Sequence, residues 1–241
     1  MREFKIIVWI MICCFHFGFA QNETSNTCKG KIISYLDDME KILSPKNNQV
    51  YYMKYSTNTV FFEEYKVPTS STTTEMLISG DKVMMNDENM KIYGNQEEMF
   101  VVLPKANIIY WNDSDPRLFS DNNSQKKFLD IERSLLKSSS SITCDTKENQ
   151  QEIIIFPNKD FEKKTGLLKQ VLVYDLESKR VISVENRFNK KSKIKKQVVY
   201  YEVVDYNSNN KIKEPLNYVF NGTELKPAYK NFEIINNRKN K

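Results

Sequence analysis

The side chains that most often carry acid–base and metal chemistry are scarce in this chain. One histidine, His16, stands among 241 residues, within an apolar stretch near the start. Of four cysteines, Cys13 and Cys14 share that stretch, and Cys28 and Cys144 lie beyond it. Ser-His-Asp and Cys-His mechanisms and histidine-ligated zinc or iron all need an imidazole at the site. They are excluded for a chain that has lost His16. The acidic pairs Asp37-Asp38, Glu63-Glu64 and Glu97-Glu98 are adjacent in sequence. Neighbouring strand residues point to opposite faces, so such pairs read as surface rather than as one two-carboxylate centre. A carboxylate hydrolase, which needs two acids facing each other across a cleft, therefore ranks last. There is no glycine-rich phosphate loop, calcium loop or Cys-x-x-Cys motif. The expectation is a protein that is not an enzyme, with no catalytic residue, no metal and no cofactor.

His16 belongs to a segment with the layout of a cleavable leader. Arg2 and Lys5 precede an apolar run over residues 6–17, and Gly18 and Ala20 put small residues at −3 and −1 before Gln21. The run is shorter than the roughly 20 apolar residues that span a bilayer. Ile12 precedes Cys13, so both early cysteines read as apolar filler rather than as a lipidation site. Cleavage after Ala20 removes Arg2, Lys5 and Glu3 and leaves 34 basic against 30 acidic side chains. A net charge of +4 is too mild to argue for nucleic acid. No second run of membrane length follows, so the expected location is periplasmic or secreted, with no transmembrane segment after leader removal. In such an oxidising compartment Cys28 and Cys144 are expected to pair.

The elements that would position any site follow from periodicity. Residues 21–29 are polar and read as a flexible start. Over residues 30–43, Ile32, Ile33, Leu36, Met39, Ile42 and Leu43 recur at helical spacing, and Pro45 stops the pattern. From residue 48 the period becomes two. Strands are expected over 49–55, 59–67, 73–79, 82–86, 91–94, 98–103 and 107–112, with a hairpin turn at Gly80-Asp81. Residues 124–137 form a second helix whose stripe is Phe128, Ile131 and Leu135, with Leu129 and Leu136 beside it. Strands resume over 141–146, 152–156, 167–174, 180–188 and 195–206, and a tail runs from 207 to 241. This order predicts an α+β fold: a large curled antiparallel sheet, an incomplete β-barrel, with helices packed on its concave face. The sheet domain spans 30–206.

One alternating set on the strands is rich in methionine and aromatics: Tyr51, Met53, Tyr55, Phe61, Met76, Ile78, Met85, Ile92, Met99, Val101, Leu103, Ile108 and Tyr110. It fits ordinary core under two helices, since apolar residues mostly pack. It also fits a pocket for an acyl chain, because methionine suits adaptable apolar surfaces. The basic turn with Lys190, Lys191, Lys193, Lys195 and Lys196 fits anionic head groups or an acidic partner. It equally fits a solvated hairpin whose lysines protect an edge.

Three stretches carry a family resemblance. One is Glu75-Met-Leu-Ile-Ser-Gly-Asp-Lys-Val-Met-Met. The second runs from Met90-Lys-Ile-Tyr-Gly-Asn to Met99-Phe-Val-Val-Leu-Pro-Lys-Ala-Asn-Ile-Ile-Tyr-Trp111. The third is Leu168-Lys-Gln-Val-Leu-Val-Tyr-Asp-Leu-Glu-Ser-Lys-Arg-Val-Ile-Ser-Val. With the leader and the two helices, this layout resembles the periplasmic lipoprotein carrier (LolA/LolB-like) superfamily. The resemblance implies an unclosed barrel, a lid of helices and an apolar cavity for lipoprotein acyl chains. The chain departs from that pattern in its long tail and in the lack of a lipobox. The expected groove is Tyr51, Met53, Phe61, Met76, Ile78, Met85, Met99, Val101, Leu103 and Tyr110, with Phe128, Ile131 and Leu135 on the lid. The expected partners are a lipid or the acyl chains of a lipoprotein, and an envelope protein is a further candidate. The alternative is a non-catalytic interaction subunit of a cell-envelope assembly.

Overall fold

The computed structural model describes residues 25–43, 49–114 and 124–239; the expected leader lies outside them. Helix α1 (Ser25–Leu43) is followed by strands β1 (Tyr51–Phe61), β2 (Ser70–Ile78), β3 (Lys82–Asn86), β4 (Lys91–Asn95), β5 (Glu98–Leu103) and β6 (Ile108–Asp113). Then come α2 (Ser124–Lys137), β7 (Ser139–Lys147), β8 (Gln150–Pro157), α3 (Lys159–Thr165), β9 (Leu167–Asp175), β10 (Arg180–Phe188) and β11 (Ile194–Asp205). The tail adds α4 (Leu216–Val219), the small hairpin β12 (Phe220–Asn221) and β13 (Glu224–Leu225), and β14 (Glu233–Asn236). Among the described residues, no helix is long and apolar enough to cross a membrane.

Twelve strands form one open sheet in the order β14-β6-β5-β4-β3-β2-β1-β11-β10-β9-β8-β7, the α+β incomplete barrel that the periodicity predicts. Three details differ. The expected strands 49–55 and 59–67 are one strand, β1, and the chain turns only after Phe61, through a short 3-10 turn over Glu63–Tyr65. The sheet is mixed rather than purely antiparallel, because β14 runs parallel to β6. Helix α3 was not expected. Its signals are local: the Asn158 side-chain oxygen Oδ1 accepts from the Phe161 N–H at 2.9 Å, and Gly166 takes the left-handed cap at φ 78°.

The register divides the sheet into two faces, since directly paired residues point to the same side. On the C-terminal strands one face carries Ile142, Cys144, Ile153, Ile155, Leu172 and Val184, buried with Cys28, Ile32 and Leu36 of α1 and Leu129, Leu135 and Leu136 of α2. We call this the helix face. On the N-terminal strands the buried residues lie on the opposite side. Tyr93, Phe100, Val102 and Ile109 pack under the tail, with Val219, Tyr229, Phe220 and Phe232. This second surface is the tail face.

Aromatic contacts fix the tail there. Tyr93 stacks on Tyr218 at 4.3 Å, and Phe100 stacks on Trp111 at 4.9 Å. The Arg238 guanidinium lies 3.3 Å from the centre of the Trp111 ring and 3.6 Å from Glu98, while the indole N–H donates to Glu98 at 2.8 Å. A guanidinium desolvated over an indole is among the stronger cation–π arrangements.

Cys28 and Cys144 form the expected disulfide, with Cα atoms 5.9 Å apart and a sequence separation of 116. It ties α1 to β7, and both half-cystines sit in the helix-face core. Closing so long a loop removes much denatured-state entropy, about 4–5 kcal/mol in the chain-entropy model. Cys28→Ser with Cys144→Ser is expected to lower unfolding stability by about 2–5 kcal/mol. Denaturant titration measures this, and unchanged stability would mean that the bond constrains nothing.

Candidate functional site

The two cores leave one large apolar surface in neither. On the helix face of the N-terminal strands, Val204 pairs with Met53, Met53 with Met76, Met76 with Met85 and Met85 with Ile92. Ile92 then pairs with Val101, Val101 with Tyr110 and Tyr110 with Ile235. These eight apolar side chains sit on eight consecutive strands in one unbroken row. At the usual strand spacing of 4.7–4.9 Å, seven steps make a row about 34 Å long. Ile78, Val83 and Met99 flank it on one side, and Leu103 and Ile108 on the other. All of these are half-buried, and none belongs to either core cluster.

The structure therefore brings together Met53, Met76, Ile78, Met85, Met99, Val101, Leu103 and Tyr110 of the expected groove on one face. Tyr51 shares that face but is buried at 3% exposure. Phe61 lies eight residues from Met53 along β1, at the far end of the strand. The lid residues are not gathered with them. Leu135 is core at 2% exposure and Ile131 is 60% exposed, while the Phe128 side chain lies outside the described residues. The buried stripe of α2 is Leu129, Glu132, Leu135 and Leu136. Residues 129, 132 and 136 keep the three-and-four spacing once a carboxyl is counted as an inward position. Val204 and Ile235 were not in the expected set. Their strands join the row only through long-range pairing, which periodicity does not show.

A cleft of about 270 Å³ opens between α1 and strands β8–β10, lined by Ile32, Tyr35, Ile153, Leu172, Tyr174 and Val181 among others. This is just under the usual range of small-molecule pockets, about 300–1,000 Å³. No residue of the expected groove lines it. Tyr35 meets Tyr174 edge-on at 5.4 Å, and burial pushes its hydroxyl up to about 12.

A polar band runs across the strands toward one end, on the same side of both the cleft and the open apolar row. Gln170 pairs with Asn186, Asn186 with Gln197, Gln197 with Thr59 and Thr59 with Ser70, one helix-face row across β9, β10, β11, β1 and β2. Gln197 donates its amide to Thr59 Oγ1 at 3.4 Å. From α2, Glu132 reaches the end of the row, where Gln170 Nε2 donates to its carboxylate at 3.1 Å. Burial pushes the Glu132 carboxyl up to about 7, against the pull of the Gln170 bond. Tyr35 and Tyr201 are its titratable neighbours. Burial likewise raises the Tyr201 hydroxyl, whose ring stands 6.1 Å from that of Tyr55 on β1. Sequence spacing did not single out this band, because glutamines and threonines within strands read as outward positions. Among the described residues, no cluster of histidine, cysteine or carboxylate side chains is arranged to hold a metal.

No family model and no curated protein matches this chain. Solved structures similar to it include an uncharacterized conserved protein from Thermus thermophilus, 7% identical, covering 85% of this chain and 98% of that one with a TM-score of 0.43. A DUF1329 family protein from Desulfovibrio piger is 9% identical over 78% of this chain and 95% of its own, with a TM-score of 0.35. A LolA superfamily protein from Nitrosomonas europaea is 8% identical over 74% of this chain and 94% of its own, with a TM-score of 0.32. This last is described by the family that the strand pattern resembles. Likeness at this level says nothing of ligand or partner.

Glu132 generates a pH prediction. Folded, it keeps its proton up to about pH 7; unfolded, it loses it near 4.5. The native state thus binds more protons in that window, and this group's contribution to stability falls as pH rises through it. Glu132→Gln cannot ionise and keeps an acceptor for the Gln170 amide. It is expected to exceed the parent by about 3 kcal/mol at pH 8 and to match it at pH 4. Urea unfolding at both values tests this, and an equal difference at the two would assign the effect to packing instead.

Proposed function

We propose that this chain is an exported, non-catalytic binding protein, acting in the periplasm or after secretion, that holds the acyl chains of a lipid or a lipid-modified protein on the open apolar half of its helix face. The observation that carries this reading is the row Val204–Met53–Met76–Met85–Ile92–Val101–Tyr110–Ile235, half-buried and outside both cores. Monomeric proteins rarely expose contiguous apolar patches above a few hundred Å² unless the patch binds something. Three methionines adjacent in the row give a surface that can re-pack around chains of different shape. The sulfur and branched side chains offer no group that would bond covalently to a lipid, so affinity comes from burying methylenes, about 0.8 kcal/mol each. The disulfide supports an oxidising compartment for the folded chain.

Natively purified protein is expected to carry co-extracted lipid, read by mass spectrometry, and to bind a fluorescent acyl probe. Lengthening a competing fatty chain by two methylenes should tighten it by up to about tenfold. Met85→Glu or Val101→Glu should weaken probe binding by about tenfold or more, because each puts a charge in the middle of the row. The melting temperature should hold, since neither side chain belongs to a core. No lipid, no probe binding and capture of an envelope protein instead would favour the interaction-subunit reading.

A further inference from the structure

The polar row on the helix face has a property that packing does not explain. Gln170 is 3% exposed, and its side-chain oxygen Oε1 is buried with no hydrogen-bond partner. The side-chain oxygen Oδ1 of Asn186, its direct cross-strand neighbour, is also buried and without one. Two adjacent acceptors thus lie side by side on the same face, at one strand spacing, with no donor between them. Buried polar groups are nearly always satisfied, so a pair of adjacent orphan acceptors calls for an explanation. Asn186 and Gln197 are half-buried, so the row is less deeply covered toward β11 than at Gln170.

We propose that this row is a head-group subsite for the amphiphile whose chains lie on the apolar row, and that it selects heads carrying hydroxyl or amide N–H donors. This rests on the acyl-binding reading above. The two rows cross β1 at Met53 and Thr59. Six residues of strand separate them, about 20 Å. That exceeds half the roughly 30 Å hydrocarbon core of a bilayer, so only an extended chain of about eighteen carbons or more, laid along the strand past Thr57 and Tyr55, brings its end to the apolar row from a head held at the polar row. Two unpaired carbonyls accept hydrogen bonds, so an ester or ether head with acceptors alone gains nothing there. Ammonium heads are also donors, but the turn beyond this end of the row carries Lys191, Lys193 and Lys195 in excess of Arg187 and Lys196, which pair with Glu185, and Lys190, which pairs with Glu64. That charge disfavours a cation. The donors left are hydroxyls, as on glycerol or sugar heads, and amide N–H groups, as on an N-acylated chain.

The test compares two competitors with the same eighteen-carbon acyl chain, 1-stearoylglycerol and methyl stearate, displacing a fluorescent acyl probe below their aggregation concentrations. The native protein is expected to favour stearoylglycerol by about tenfold or more. In Asn186→Leu, which leaves the Gln170–Glu132 bond in place, that preference should fall several-fold while methyl stearate still binds, and the melting temperature should hold or rise. Equal displacement by both competitors on the native protein, with water alone filling the row, would overturn the proposal and leave the acyl-binding reading standing. A variant that melts lower and keeps the preference would also overturn it, since the amides would then be structural. Failure of both competitors to displace the probe, or of the probe to bind, would end both readings.

Discussion

A β-sheet side chain can point to only two sides, and a sheet of twelve strands has far more apolar surface than two short helices can cover. This molecule changes the side it buries partway across. From β7 to β10 the helix face is core, closed by α1 and α2. From β4 to β6 the tail face is core, closed by residues 216–234. Strands β1 and β2 stand where the exchange happens, and their composition answers it. Thr57, Thr59, Thr72, Thr73 and Thr74 are β-branched and carry a hydroxyl, which suits strands that neither core fully claims. The open apolar row follows from this exchange. Once the tail covers Phe100, Val102 and Ile109, the opposite alternating set has no described partner.

The disulfide and the tail have matching roles on either side of the exchange. Cys28–Cys144 anchors α1 to β7, at one edge of the sheet. Strand β14 pairs with β6 at the other edge and is secured by Arg238 over Trp111. A four-residue strand would be marginal alone. Its aromatic and cationic neighbours account for its staying in place, and it occupies the β6 edge that would otherwise be open to other chains.

Much of this was legible in the residues. The period-two runs from 82 to 112 give β3 to β6 almost to the residue, and the alternation separates the open row from Phe100, Val102 and Ile109. The oxidising compartment suffices to pair the two late cysteines. The rest was hidden for physical reasons. Periodicity reports which residues share a face but not which face is covered, and here the cover is a tail more than a hundred residues from the strands it packs on. The stripe of α2 was set one position off because Glu132 is a carboxyl at an inward position. Helix α3 was readable in Asn158 and Gly166, a cap at each end, yet seven residues with five charges and one phenylalanine show no stripe.

Local rules of stability are broken at three places on the helix face. A row of aliphatic side chains is left half-covered; two amide carbonyls are buried without donors; and a glutamate is buried deeply enough to hold its proton near neutral pH. Each lowers stability on its own, and none is offset by a described contact beyond the single Gln170–Glu132 bond. On the tail face, by contrast, Tyr93 and Tyr229 place their hydroxyls 3.4 Å apart and Trp111 satisfies its N–H on Glu98. Sequences that fold well agree with their structure at every level except where function sets other terms. Three such exceptions gathered on the helix face are why the binding reading places its occupant there. On that reading the occupant is both apolar and hydrogen-bonding, which a hydrocarbon chain alone does not supply.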